Sequence, residues 1–201
     1  MEDDEDQGGT DAHTDNSRSR WSRRTVIASI AGVVGVGAGA FLLADQTATA
    51  TEARERFKNL HSGKFLEVTG GNIDNGDNVR QWAFTGSVTQ QWTAIPLSTY
   101  SITKAYVIEN MYSGKVLQVA GKGTNNGDNV VLWDWTGGDH QKWFIKTRDW
   151  IDGHLVIENK HSGKVLEIAG GSTKNGANVQ QWEETGNENQ YWVPENIRTS
   201  S

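Results

Sequence analysis

The sequence predicts an all-β domain of about twelve short strands, arranged as three equivalent units around a pseudo-threefold axis. Three observations predict it. First, corresponding residues recur 51 and then 49 positions apart, as His61, Tyr112 and His161 show, and a fixed long period marks a repeat architecture. Second, each copy carries an Asn-Gly dipeptide between apolar runs (Asn75-Gly76, Asn126-Gly127, Asn175-Gly176), the strongest short-range hairpin signal. Third, the 3.6-residue apolar period of a helix is absent from these copies. Composition agrees: 201 residues include 23 glycines, nine tryptophans and only two prolines, as expected of an aromatic-rich β protein with many tight turns.

Copy one runs from Asn59-Leu60-His61-Ser62-Gly63-Lys64 to Gln90-Gln91-Trp92. Copy two runs from Asn110-Met111-Tyr112-Ser113-Gly114-Lys115 to Gln141-Lys142-Trp143, and copy three from Asn159-Lys160-His161-Ser162-Gly163-Lys164 to Gln190-Tyr191-Trp192. The distance from the serine to the final tryptophan is 30 residues in each, so the length difference falls between copies, where connecting loops belong. In copy three, Leu155-Val156-Ile157 leads into the Ser162-Gly163 turn, and Val165 to Ile168 alternates before Gly170-Gly171. Val179-Gln180-Gln181-Trp182 and Tyr191-Trp192-Val193 supply the last two strands. A propeller needs about 4–8 blades, and a TIM barrel about 250 residues, so three copies in this length exclude both.

Residues 1–50 read differently. They carry eight acidic and four basic side chains, against 17 and 15 in the remainder. Met1 to Arg20 has no apolar periodicity and is expected to be disordered. Ser22-Arg23-Arg24-Thr25-Val26-Ile27 precedes an uncharged run to Ala44, which resembles a twin-arginine export signal. Ala48-Thr49-Ala50 supplies a small-x-small cleavage site. The alternative is an uncleaved anchor, since ~20 apolar residues span a bilayer, but four glycines leave this run only moderately hydrophobic. The expected organisation is therefore an acidic pre-region and signal at 1–50 and a folded domain at 52–198, exported and secreted or surface-associated. The copies occupy about 52–100, 101–150 and 151–198.

The Gln-x-Trp closing every copy, with the Ser-Gly-Lys-x-Leu, Asn-Gly and x-x-Trp elements, resembles the ricin-B-type β-trefoil lectin domain over residues ~52–198. Trp92, Trp143 and Trp192 are expected in the core, each burying ~150–250 Å², with Leu66, Leu117 and Leu166 beside them. Gln90, Gln141 and Gln190 stand two residues earlier, on the same strand face. Many relatives carry a cysteine pair in each unit. The matching positions here are Phe65 and Phe84, Val116 and Trp135, and Val165 and Glu184; apolar packing can replace the bridge in the first two and less well in the third.

The resemblance also implies a sugar site in each copy. It combines an acid after the strand leucine, an aromatic ending the third strand, and Asn-Gln before the last tryptophan. A carboxylate and an amide clamp neighbouring hydroxyls, while an aromatic face covers the apolar side of the ring. Copy three offers Glu167, Trp182, Asn189 and Gln190, all chemically suitable. Copy one offers Glu67, Trp82, Thr89 and Gln90. Copy two offers Gln118, Trp133, His140 and Gln141, with the carboxylate lost. Glutamate stands where relatives carry aspartate, which puts a galactose preference in question. The expected function is non-catalytic carbohydrate binding, to polysaccharide or surface glycan. The alternative is a structural or protein-interaction trefoil in which the repeated tryptophans only pack against turns.

Other chemistry has little support. Without cysteine there is no thiolate metal site or cysteine nucleophile. His61 and His161 share one turn position with Tyr112, which favours turn packing over metal binding. There is no His-Glu-x-x-His and no Gly-x-Ser-x-Gly. Glu183 and Glu184 are strand neighbours facing opposite sides, unlike a glycosidase pair. No cofactor is expected. No basic cluster suggests nucleic acid, a membrane would be met only through an uncleaved signal segment, and any glycosidase partner would be a separate chain.

Overall fold

The computed structural model describes residues 54–71, 74–98, 104–148 and 153–197. The leader with Arg23-Arg24 and Ala48-Thr49-Ala50 lies outside the described residues. Twelve strands appear, four per unit. Unit one holds β1 (Glu55–Asn59), β2 (Phe65–Val68), β3 (Val79–Trp82) and β4 (Trp92–Pro96). Unit two holds β5 (Ala105–Asn110), β6 (Val116–Val119), β7 (Val130–Trp133) and β8 (Trp143–Thr147). Unit three holds β9 (Leu155–Asn159), β10 (Val165–Ile168), β11 (Val179–Trp182) and β12 (Trp192–Asn196).

The outer strands of each unit pair in the cycle β1–β4–β5–β8–β9–β12 and back to β1, all antiparallel. That ring is a closed six-stranded barrel, which leaves no sheet edge among its members. The inner strands form three hairpins, β2–β3, β6–β7 and β10–β11, set over one end of the barrel as a β-trefoil.

Trp92, Trp143 and Trp192 are fully buried. Their Nε1 atoms donate to the carbonyls of Leu66, Leu117 and Leu166 at 3.0 Å in every unit, so each indole fills the core and satisfies its one donor. Those leucines are equally buried, as expected. The strand after each Gln-x-Trp starts at the tryptophan, however. Gln90, Gln141 and Gln190 stand in short 3₁₀ turns, Val88–Gln90, Asp139–Gln141 and Glu188–Gln190. The same-face expectation therefore fails: a turn that tightens to i→i+3 bonds no longer has the period of two.

The units are clasped at two places that the repeats alone do not reveal. On the axis, Asn129 Nδ2 donates to Asn78 Oδ1, Asn78 to Asn178, and Asn178 to Asn129, at 2.8–2.9 Å. This closed ring of amides joins the three hairpins. Further out, each Asn-Gly turn docks on the next hairpin. Asn75, Asn126 and Asn175 accept from the backbone N–H of Asp134, Glu183 and Ala83 at 2.8–2.9 Å. Gly76, Gly127 and Gly176 have φ between +82° and +96°, a region open to glycine at little cost. They lie against the rings of Trp133, Trp182 and Trp82, so that an added Cβ would sit 3.6–3.7 Å away.

The far end of the barrel breaks the symmetry. Glu55, Tyr106 and Leu155 occupy equivalent places, registered opposite Trp92, Trp143 and Trp192. Glu55 is 2% exposed with no hydrogen-bond partner at Oε2, and burial pushes its carboxyl up to about 7. Where relatives carry cysteine pairs, the Phe65 and Phe84 rings meet at 5.5 Å. Glu184 instead pairs with Arg148 at 3.2 Å.

Candidate functional site

In each unit the inner hairpin sets the site. Antiparallel register places Glu67, Gln118 and Glu167 opposite Arg80, Val131 and Gln180. The tryptophan two residues further along the third strand shares that face. The 3₁₀ turn before the next strand brings the Gln-x-Trp glutamine beneath the acid.

That glutamine is a positioning group. Gln190 Nε2 donates to Glu167 Oε2 at 3.0 Å and to the Glu183 carbonyl at 2.8 Å, while its Oε1 accepts from the Thr185 N–H at 2.8 Å. Gln90 repeats this with Glu67, Ala83 and Thr85, and Gln141 with Gln118, Asp134 and Thr136. Both amide hydrogens are spent, so in all three units the glutamine holds the acid or amide in place.

Unit three brings its four expected residues together. Glu167 is buried, and its Oε2 accepts from both Gln190 and Asn189 (3.3 Å). Its Oε1 accepts from Gln180 at 2.9 Å and keeps a lone pair for a hydroxyl. Asn189 also donates to the Ile168 carbonyl at 3.0 Å. A cleft of about 510 Å³ opens over this group, lined by Glu167, Gln180, Trp182 and Asn189 among others. His61, from the unit-one turn, stands on its rim 3.9 Å from Glu188. The sequence reading missed Gln180 and His61. Gln180 was within reach, since it lies two residues before Trp182 on one strand face; His61 needed the tertiary contact between units.

Unit one assembles the same walls around a different centre. Arg80 Nε and Nη2 both donate to Glu67 Oε1, at 3.1 and 2.8 Å. The guanidinium carbon lies 4.1 Å from the centroid of the Trp82 ring. Thr89, in the place of Asn189, is spent on Ser87 at 2.8 Å.

Unit two lacks charge at the acid position: Gln118 Oε1 accepts from Gln141 at 2.9 Å. His140 stands buried where Asn189 stands in unit three. Burial, reinforced by Lys122 and His161, lowers its pKa, which favours the neutral ring. Trp133 is the most exposed of the three candidate aromatics. No group of three or more His, Cys, Asp or Glu side chains that could hold a metal ion occurs among the described residues.

Comparison with known proteins places this geometry. The model of the family described as ricin-type beta-trefoil lectin domain-like matches residues 43–133, 99–182 and 139–201. No curated protein matches the chain. Among solved structures, the designed threefold-symmetric protein ThreeFoil is 34% identical, with 72% of this chain and 99% of that one covered and a TM-score of 0.67. An exo-β-1,3-galactanase from Clostridium thermocellum is 30% identical at TM-score 0.68, over 74% of this chain but only 31% of the enzyme. A Macrolepiota procera ricin B-like lectin, solved in complex with lactose, shares the fold at 21% identity and TM-score 0.60, with 74% and 99% covered. The chain belongs to the ricin-type β-trefoil lectin domain-like family, a family that binds carbohydrate and is not catalytic.

Proposed function

We propose that this protein is an exported lectin that binds a polysaccharide or surface glycan through unit three. The observation that carries the reading is the cleft over Glu167 and Trp182, where a held carboxylate, the amides of Gln180 and Asn189, and an indole converge. A hydroxyl of the sugar donates to Glu167 Oε1, and the apolar face of its ring lies on Trp182. Glu188 on the rim adds a second carboxylate, which favours neutral sugars over acidic ones. One ring face and a few hydrogen bonds support affinity on the order of millimolar, about −4 kcal/mol.

A glycan array tests the reading, with Trp182→Ala and Trp133→Ala beside the native protein. Trp182→Ala should lose at least about tenfold in binding, an energy of about 1.4 kcal/mol, and Trp133→Ala should lose less. Because Trp182 packs on Gly127, melting temperature is measured in parallel. A Trp182→Ala protein that melts lower yet binds glycan unchanged removes this ring from the sugar site. The lactose complex of a relative makes lactose a sensible first soluble probe.

The twin-arginine reading of Arg23-Arg24 is the other half of the proposal, with Ala48-Thr49-Ala50 as the processing site. Replacing both arginines by lysine should leave precursor in the cytoplasm; normal secretion of that variant refutes the route. Any glycosidase that works with the domain is proposed to be a separate chain.

A further inference from the structure

We infer that Arg80 is a built-in occupant of the unit-one site, standing where a sugar would stand and closing that site to neutral carbohydrate. The inference rests on the same reading of the walls as the proposal for unit three, but concerns a different hairpin.

A sugar in this kind of site needs two surfaces at once, the free oxygen of the acid and the face of the aromatic. In unit one the Arg80 side chain claims both. Its two N–H groups converge on Glu67 Oε1, the oxygen whose counterpart in Glu167 accepts one bond only, from Gln180. Its guanidinium carbon lies over the Trp82 ring, 4.1 Å from the centroid, a cation–π contact that competes with sugar C–H groups for the ring. A neutral hydroxyl displaces such an occupant poorly, because it offers one charge-assisted hydrogen bond in exchange for two and brings no positive charge to the carboxylate. Displacement would also leave the Glu67 carboxylate buried without its counter-ion, which is costly.

The rim points the same way. The positions of His61, Glu188 and Asn189 in unit three are held in unit one by Tyr112, Val88 and Thr89. Val88 is an exposed apolar group, Tyr112 an exposed aromatic with a single phenolic hydroxyl, and the Thr89 hydroxyl is already bonded. The rim of unit one thus carries fewer hydrogen-bonding groups than that of unit three, although the walls behind it are complete. The single residue that decides occupancy is Arg80, because Glu67, Trp82 and Gln90 are all in place behind it.

Arg80→Gln tests this, since it installs the side chain found at Gln180. The probes are a printed array of neutral β-galactosides, N-acetylhexosaminides and xylo-oligosaccharides, followed by calorimetric titration with lactose or the strongest array binder. Thermal melting establishes that each variant is folded. The expected result is a new binding event in Arg80→Gln that Trp82→Ala abolishes. Stoichiometry should rise from about one to about two, and array signal on multivalent glycans should rise about tenfold or more. The inference is overturned if Arg80→Gln gains no Trp82-dependent binding, including the case in which neither protein binds any probe. It is equally overturned if binding by the native protein is lost with Trp82→Ala. Failure of the unit-three proposal looks different. Native binding would then be indifferent to Trp182→Ala, while Arg80→Gln still gains its Trp82-dependent event.

Discussion

Units one and three share a hairpin register, a buried glutamate, a glutamine beneath it and a tryptophan on the same face. They differ at the residue opposite the glutamate. Gln180 takes one hydrogen bond to Glu167 and leaves the indole beside it uncovered by a cation, while Arg80 takes two to Glu67 and covers Trp82. Duplication therefore preserves scaffold and site walls together, and a single side chain determines whether the space between the walls is vacant. Presence of the expected residues is a poor guide to an available site. What matters is whether the acid has a lone pair and the ring a face left over.

The core, by contrast, should show no difference between the units. Trp92→Ala and Trp192→Ala each remove a fully buried ring and leave the Leu66 or Leu166 carbonyl without its donor. Each should cost about 3–5 kcal/mol in denaturant unfolding. A marked inequality would mean that the two units are not mechanically equivalent, and the comparison of their sites would need recasting.

The barrel end should distinguish them next. Glu55 in unit one replaces the apolar Leu155 of unit three, and burial raises its carboxyl from 4.5 to about 7. A raised acid holds its proton in the folded state where the unfolded chain has released it. Its contribution is therefore most favourable below pH 4.5 and declines as pH rises to about 7, with the loss complete above that. The decline is on the order of 3 kcal/mol. Urea midpoints measured across that window should fall, and Glu55→Gln should flatten the fall. An unchanged slope in the variant would assign the dependence elsewhere.

The smallest effect separates the two glutamates. Glu167→Gln keeps the shape and removes the charge-assisted bond to a sugar hydroxyl, at a cost of about 1.5–3 kcal/mol in binding. Glu67→Gln should leave binding untouched and reduce stability instead, by freeing Arg80 from a partly buried ion pair. Titration and melting of both variants check this. Loss of sugar binding in Glu67→Gln would show that unit one is open.

The sequence by itself determined the three-unit β architecture, because the repeat recurs in turn chemistry as well as in apolar pattern. The positive φ at Gly76, Gly127 and Gly176 is demanded locally, at the third position of turns whose preceding asparagine keeps a negative φ. These dipeptides therefore shape the loop between the hairpin strands rather than a two-residue hairpin turn. The sequence also determined the buried tryptophans and leucines, because the same large apolar residues recur at the same place in every copy, although β2, β6 and β10 are buried along their whole length rather than alternating. The 3₁₀ turns under Gln90, Gln141 and Gln190 escaped it, because three residues carry too little periodicity to tell a turn from the start of a strand. Tertiary structure alone decided the asparagine ring of Asn78, Asn129 and Asn178, whose members are 49–100 residues apart and meet only on the axis. It decided that His61 serves the rim of unit three, because the barrel brings the first turn beside the last. It also decided the difference between Arg80 and Gln180. Occupancy depends on where a long flexible side chain comes to rest between two walls, and that is set by register and burial together, which no local pattern encodes.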